Sequence, residues 1–286
     1  MRGVLPGSAS NGMNKKIQAS VYILTKNSSR TLGRALESVK DFEDIVVCDG
    51  GSDDDTLKIA HEYGANIFSQ PQNCLTPEGY IADFACIRTD CLDNAKYEWA
   101  LYIDSDEAAS PGLVQEIRSV VEGSAAKIFD VYEVPTSYQR IDGRMIKYSS
   151  NFPGYQCRFF TRKFGAYFYK SPHSKIRYRE KSDSEITVGR FNNPWINFMP
   201  DGGYWRRFWG SNRKFMELEL SRMSSLSRFE RWRLMYNSFR PVLGIGFRAL
   251  RNYIFHGFKD SMPISAEAAR IAYHFILGVR IFLSIF

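Results

Sequence analysis

The stretch Trp99-Ala-Leu-Tyr-Ile-Asp-Ser-Asp-Glu107 constrains this chain most. Its apolar half has the length and character of a strand buried on both faces, the habit of parallel sheets. It then ends abruptly in Asp104, Ser105, Asp106 and Glu107. Open α/β sheets bind ligands at the carboxyl ends of their strands, so these carboxylates stand where a site is expected. Asp104 and Asp106 can address one hard cation, Mg²⁺ or Mn²⁺, which takes one or two protein carboxylates and leaves its other positions to water and phosphate oxygens. A metal-bound diphosphate is the guest this implies. An acidic turn after a strand is the plain alternative.

The sequence upstream favours the first reading. Ile17–Thr25 reads as a strand, and Leu32, Ala35, Leu36 and Val39 recur with helical spacing after Ser28 or Ser29, either of which can cap. Asp44–Asp49 is a second strand, followed by a helix carrying Leu57, Ile59, Ala60 and Tyr63 and a short strand Ala65–Ser69. A helix from about Tyr80 to Asn94 leads into the strand at Trp99. Strands alternating with helices predict a parallel, right-handedly connected α/β sheet. Between the second strand and its helix, Asp49-Gly-Gly-Ser-Asp-Asp-Asp-Thr56 sets a carboxylate at a strand end before glycines that admit a ligand to the backbone. A strand-end carboxylate suits a ribose or base; a solvated acidic turn is the alternative.

These residues resemble the family 2 glycosyltransferases, with the nucleotide-diphospho-sugar transferase (GT-A) fold. The resemblance rests on Thr25-Lys-Asn27, on Asp49-x-Gly51-Ser-x-Asp54-x-Thr56, on Arg88 before the fourth strand, and on Glu98-Trp99 leading to Asp104-x-Asp106-Glu107, over residues 17–122. Within the family the chain is similar to small bacterial enzymes that extend lipopolysaccharide inner core or related glycans, beside the heptose-modifying β-glucosyltransferases. The resemblance implies that Thr25, Asn27, Asp49, Gly51, Ser52 and Asp54 hold the nucleoside side of the donor. It puts Arg88 and Asp104 on the diphosphate, and Asp104 and Asp106 on Mg²⁺ or Mn²⁺. The metal would act as the Lewis acid for the leaving group, so only the acceptor hydroxyl needs a base. Inverting transfer to a glycolipid or glycan is the implied reaction.

The base is less legible. Pro111–Glu122 reads as a helix, Ile128–Val134 as a strand, and Ser137–Lys147 as a hairpin whose Asp142-Gly143 suits a type I′ turn. Gln156–Arg162 resembles the family's Arg-Leu-Phe strand, after which relatives carry a His-Glu pair; here Pro172-His173-Ser174 keeps the histidine without the carboxylate. His173 and Glu107 are the catalytic candidates, with Glu180 and Asp183 as further bases. A hydrogen-bonded loop histidine is the plain reading of His173.

Two other enzyme classes fail on residues. A haloacid-dehalogenase-type phosphatase needs Thr where Ala108 stands, and a nicotinamide enzyme needs G-x-G-x-x-G where Thr25-Lys-Asn-Ser-Ser29 stands. A non-catalytic, membrane-associated nucleotide-sugar-binding protein is the remaining rival.

Charge divides the chain. Residues 201–286 carry 14 Lys and Arg against 6 Asp and Glu, or +8, whereas residues 1–200 carry 24 against 25, or −1. The basic part is rich in Trp, Phe and Arg, a mixture suited to an anionic membrane surface rather than to nucleic acid. Val242–Phe258 and Ile264–Phe286 are apolar but interrupted by arginines, short of a spanning helix. They are expected to be interfacial, ordinary packed helices being the alternative. Five cysteines, an odd number without metal-ligand spacing, speak against a disulfide framework and for a reducing compartment. Met1–Lys16 has no sustained apolar core and is expected to be a disordered extension. The expected layout is residues 17–200 as the GT-A catalytic domain and 201–286 as a helical extension holding the protein on the cytoplasmic face of the membrane.

Overall fold

The computed structural model describes residues 15–285, except 78, 80, 141, 152–153, 170–174, 200–204, 206–207, 222 and 224–225. The expected N-terminal extension thus lies almost wholly outside the described residues.

The first half follows the alternation read from the sequence. β1 (Ile17–Thr25), α1 (Leu32–Ser38), β2 (Phe42–Asp49), α2 (Thr56–Glu62), β3 (Asn66–Ser69), α3 (Phe84–Asp93) and β4 (Trp99–Asp104) form a parallel sheet in the order β3-β2-β1-β4. β1 buries both faces: Ile17, Ala19, Val21 and Ile23 meet α1 and the next helix, α4 (Pro111–Val121), while Tyr22 joins Tyr102 and Phe168 on the α3 side. Ser110 caps α4 by accepting from Leu113 N, with Pro111 at the first helical position, where its missing N–H costs nothing.

The second half makes the sheet mixed, with antiparallel and parallel pairings side by side. β5 (Glu107–Ala109), β6 (Val131–Gln139), β7 (Met145–Ile146), β8 (Tyr155–Thr161), β11 (Val188–Arg190) and β12 (Trp195–Phe198) extend the order beyond β4 as β8-β6-β12-β5, with β7 and β11 on β6. β8 runs antiparallel to both β4 and β6. β9 (Ala166–Tyr169) and β10 (Lys175–Tyr178) make a separate hairpin against α3. Among the described residues a π-helical turn (Phe208–Asn212) and the α-helices α5 (Arg213–Ser221), α6 (Arg228–His256) and α7 (Ile264–Leu283) follow.

Several local expectations need correction. Neither Ser28 nor Ser29 caps α1, because their polar groups tie loops together instead. The helix before β4 begins at Phe84, where the Asp83 side chain accepts from Ala85 N; the chain before it is occupied by a short 3₁₀ turn and a Leu75–Ile81 bridge. The β6–β7 connection closes with Arg140 N on Arg144 O and Gly143 N on Arg140 O, with Gly143 at φ 82° and Asp142 outside the left-handed region. Asp142-Gly143 is therefore not a type I′ turn, which needs the left-handed region at both positions. α6 runs through Pro241; the proline removes one backbone donor from a helix long enough to absorb the loss.

The cysteine reading is also overturned. Cys48 pairs with Cys91 and Cys74 with Cys86 in disulfides, leaving Cys157 as the free thiol. Their partners come together only when α3 packs on β2 and on the turn before it, which spacing along the chain cannot reveal. The cysteines therefore give no argument for a reducing compartment.

Candidate active site

Register brings the three motif loops side by side. Thr25 pairs with Asp49 across β1 and β2, and Leu24 pairs with Asp104 across β1 and β4, so all three loops leave the same edge of the sheet. Side chains then sew them together. Asp49, buried, accepts from Thr25 Oγ1 at 3.0 Å and Ser52 Oγ at 2.5 Å on one oxygen, and from Gly51 N and Ser52 N at 2.9 and 2.8 Å on the other. That fills the usual acceptor capacity of a carboxylate. Gly51, at φ 80°, lets the turn close under it.

Asn27, at φ 50°, donates its backbone N–H to Ser52 Oγ and accepts from Asp53 N on its side chain. Asp54 accepts from Ser29 N at 3.1 Å and from both the backbone N–H and hydroxyl of Thr56. The Thr56 hydroxyl bond, foremost, holds the Asp54 carboxyl well below its ordinary range. Ser28 Oγ lies 2.9 Å from Ser105 Oγ, which joins the first loop to the Asp104–Asp106 turn. Gln70, absent from the sequence reading, donates to the Thr25 and Cys48 carbonyls and braces the ends of β1 and β2.

Around Asp104 the surroundings become cationic. Arg88 of α3 sits 3.6 Å from Asp104 Oδ1, with its guanidinium over the Tyr102 ring. Arg88 Nε is buried and has no hydrogen-bond partner among the described residues. Behind this pair Glu107 is 4% exposed and accepts from Arg158 Nη1 and Nη2 at 2.6 and 2.9 Å, Trp195 Nε1 at 3.0 Å, Asn197 Nδ2 at 3.1 Å and Asp104 N at 3.0 Å. Burial pushes the Glu107 carboxyl upward and Arg158 pulls it down; five donors around two oxygens favour the ionised form. Arg158, Trp195 and Asn197 were not picked out from the sequence, although Trp195 and Asn197 share one face of β12 by their spacing of two.

The remaining base candidates separate. Glu180 N donates to Phe164 O and Asp183 pairs with Arg177, beside Lys181 on Asp130. Asp130 O accepts from Thr161 N, and Thr161 pairs with Trp99, so this group sits at the amino end of β4, the edge opposite Asp104. Glu180 and Asp183 thus stand apart from the Asp104–Asp106 turn. His173 lies outside the described residues; the flanking strands β9 and β10 pack against α3, where Phe168 N donates to Thr89 Oγ1, one residue from Arg88.

The donor set fits a divalent cation of one kind. Among the described residues no group of three or more His, Cys, Asp or Glu is gathered into a self-sufficient cage. Two neighbouring carboxylates beside an arginine suit Mg²⁺ or Mn²⁺ that arrives with phosphate oxygens of its own.

An α/β sheet with an acidic strand end, an arginine beside it and a carboxylate-braced turn at the same edge has the nucleotide-sugar transferase fold of the GT-A kind. The glycosyl transferase family 2 model matches residues 20–179, more than half the chain, and the chain belongs to that family. It is 32% identical over 125 residues to an uncharacterised glycosyltransferase of Rickettsia conorii, covering 43% of this chain and 41% of that protein. A counterpart in Rickettsia prowazekii is 33% identical over 121 residues, covering 42% of this chain and 38% of that protein. The matched segment thus spans about two fifths of these relatives' length. Among solved structures, S. aureus TarS 1-349 in complex with UDP-GlcNAc aligns over 93% of this chain and 92% of that one, at 16% identity and a TM-score of 0.46.

Proposed function

We propose that this protein moves a sugar from a nucleotide-diphospho-sugar to a hydroxyl of a glycolipid or glycan acceptor, in lipopolysaccharide or other cell-envelope glycan synthesis. The observation that carries the reading is Arg88: its Nε is buried with no hydrogen-bond partner among the described residues, and its Nη2 lies 3.6 Å from the first carboxylate of the Asp104–Asp106 pair. A donor diphosphate supplies the missing acceptor.

In this reading the braced loops of Thr25–Asn27 and Asp49–Thr56 present the nucleoside pocket. Asp49 and Asp54 act there mainly by holding the backbone, since their oxygens are engaged. Asp104 and Asp106 hold Mg²⁺ or Mn²⁺, which supplies Lewis-acid neutralisation of the departing diphosphate. Arg88 stabilises the same charge as it grows, which lowers the barrier more than it tightens ground-state binding. Glu107 positions Asp104 through its backbone N–H, and His173 serves the acceptor side, as base or orienting group. The acceptor is met on the cytoplasmic face of a membrane, to which the protein binds peripherally.

Thermal denaturation with nucleotide sugars, with and without Mn²⁺, followed by a transfer assay on the stabilising donor, tests this. A donor that raises the melting temperature only with metal and is then turned over supports it. Stabilisation without transfer or hydrolysis for any acceptor supports the non-catalytic binder, a reading that the engaged state of Glu107 favours.

A further inference from the structure

We propose that the outward face of α6 is a docking surface for an anionic lipid bilayer, mounted on the edge of the sheet that carries the candidate active site. The inference rests on the membrane-acceptor reading above and names the surface through which that membrane is met.

α6 has two faces of opposite character. Ser238, Ile245, Ala249 and Asn252, spaced by seven, four and three, are buried beneath the helix. On the other side Phe229, Trp232, Tyr236, Leu243, Phe247, Leu250 and Ile254 recur at three, four and seven, and all are exposed, Leu243 at 81% and Phe247 at 70%. At 1.5 Å per residue this stripe runs roughly 40 Å. Single exposed apolar residues are ordinary; a continuous row of seven large ones is an interaction surface.

Charge identifies the occupant. The helix carries six arginines against Glu230 alone. Arg233, Arg240 and Arg251, spaced by seven and eleven, stand exposed along one flank of the stripe. A second copy of the chain would bring this row against its own like charges, whereas an anionic lipid plane complements it while burying the apolar side chains. Among the described residues no helix is long and apolar enough to cross a membrane, so the contact is with the surface.

The mount fixes where that surface faces. Ser150 N and Oγ donate to Glu267 of α7 at 2.8 and 2.5 Å, Arg248 of α6 donates to the Ser150 carbonyl, and Tyr148 stacks on His256 at 3.7 Å. Lys147 N and Tyr148 N donate to Asp260 O, and Met262 N returns a bond to Tyr148 O. Gly244 lets Arg248 lie back along the helix, since a Cβ there would stand 3.2 Å from its Nη1. Residues 147–151 precede β8, which enters the sheet at the carboxyl end of β4. A bilayer on α6 is thereby brought to the side of the sheet that holds Asp104.

The test is co-sedimentation of the full chain with phosphatidylcholine vesicles, with and without phosphatidylglycerol, in the absence of donor and acceptor. The parent should pellet with the anionic vesicles and bind the neutral ones more weakly. Phe247→Gln with Ile254→Gln should weaken binding roughly tenfold or more, and Arg233→Gln with Arg240→Gln should erase the preference for anionic lipid. Both variants should keep the parent's melting temperature and its stabilisation by nucleoside diphosphate with Mn²⁺. A parent that stays in the supernatant, or an apolar variant that binds as well as the parent, overturns the proposal. So does a parent dimer that the apolar variant dissolves, which gives the face to a second copy. Donor-induced stabilisation is read separately, so these failures leave the transferase reading standing; loss of that stabilisation with vesicle binding intact is the reverse result.

Discussion

Arg158 grips Glu107 through two bonds of 2.6 and 2.9 Å while its guanidinium lies 4.4 Å from the Tyr102 ring centroid and 4.3 Å from that of Trp195. The pair locks the acidic end of β4 to the mixed half of the sheet. Replacing Glu107 by Gln keeps its shape but leaves Arg158 buried without a counter-charge, a loss on the order of 3–5 kcal/mol. Urea denaturation should show this destabilisation, and metal-dependent nucleotide affinity should fall with kcat. A variant of parental stability and affinity that loses kcat alone would instead make Glu107 the base.

Asp104→Ala and Asp106→Ala should each lower metal-dependent transfer by about 10²-fold or more with little change in melting temperature, because both carboxylates stand at the partly exposed strand end rather than in the core. Titrating Mn²⁺ against initial rate decides it. Undiminished turnover in both variants, or a parent indifferent to chelators, would remove the metal from the reading.

Asp49 and Arg88 should behave differently. Asp49→Ala frees two backbone donors and two hydroxyls at once, so it should cost stability, about 1–3 kcal/mol, as well as nucleoside diphosphate affinity. Arg88→Ala removes a buried Nε that has no partner among the described residues, but also a 3.6 Å ion pair and a ring contact. The apo-protein should therefore lose less than in Asp49→Ala, while kcat falls more than affinity. Calorimetric titration beside a melting curve separates the two. Asp49→Ala with intact affinity would show that its turn does not carry the nucleoside.

Asp130 gives a pH test remote from the site. Burial raises its carboxyl, but bonds from Lys181 and Thr187 outweigh this and hold it below the ordinary value. A depressed folded-state pKa contributes stability that is present above the unfolded value, roughly 3.9, and is lost as pH falls through the folded one. Asp130→Asn should therefore destabilise at neutral pH and lose that difference in acid. Urea midpoints at the two pH values measure it, and an equal penalty at both would assign the effect to packing alone.

How much was legible follows from what each feature depends on. The alternation from Ile17 to Asp104 is local, written in the periodicity of Val21, Ile23, Leu32 and Leu36, and β1, β2, β3 and β4 appear where that pattern puts them. Asp49, Asp54, Asp104 and Arg88 could be singled out because motifs are short-range. The brace around Glu107 could not: its donors come from residues 104, 158, 195 and 197, joined only by strand pairing of β4, β8, β12 and β5. The disulfide pairing and the mount of α6 on residues 147–151 failed for the same reason. Helix starts slipped where a serine had a better partner across the sheet, as Ser28 has in Ser105.

Glu267 tests whether that mount transmits anything. It is 3% exposed in the first turn of α7, and its carboxylate takes both the backbone N–H and hydroxyl of Ser150, with Arg270 nearby at 3.4 Å. Glu267→Ala leaves those donors buried and unpaired, a cost of about 1–3 kcal/mol, and loosens residues 148–151 against α7 while their ties to Arg248 and His256 remain. Among the described residues the nucleotide loops share no hydrogen bond with this cluster, so nucleoside diphosphate affinity should stay at the parent's value. Transfer to an acceptor embedded in anionic vesicles should fall more than transfer to the same saccharide free in solution, because only the first depends on how α6 holds the sheet edge toward the bilayer. Glu267→Gln, which can still accept from one Ser150 donor, should recover part of the difference. Equal losses on both acceptors would mean that the cluster serves stability alone.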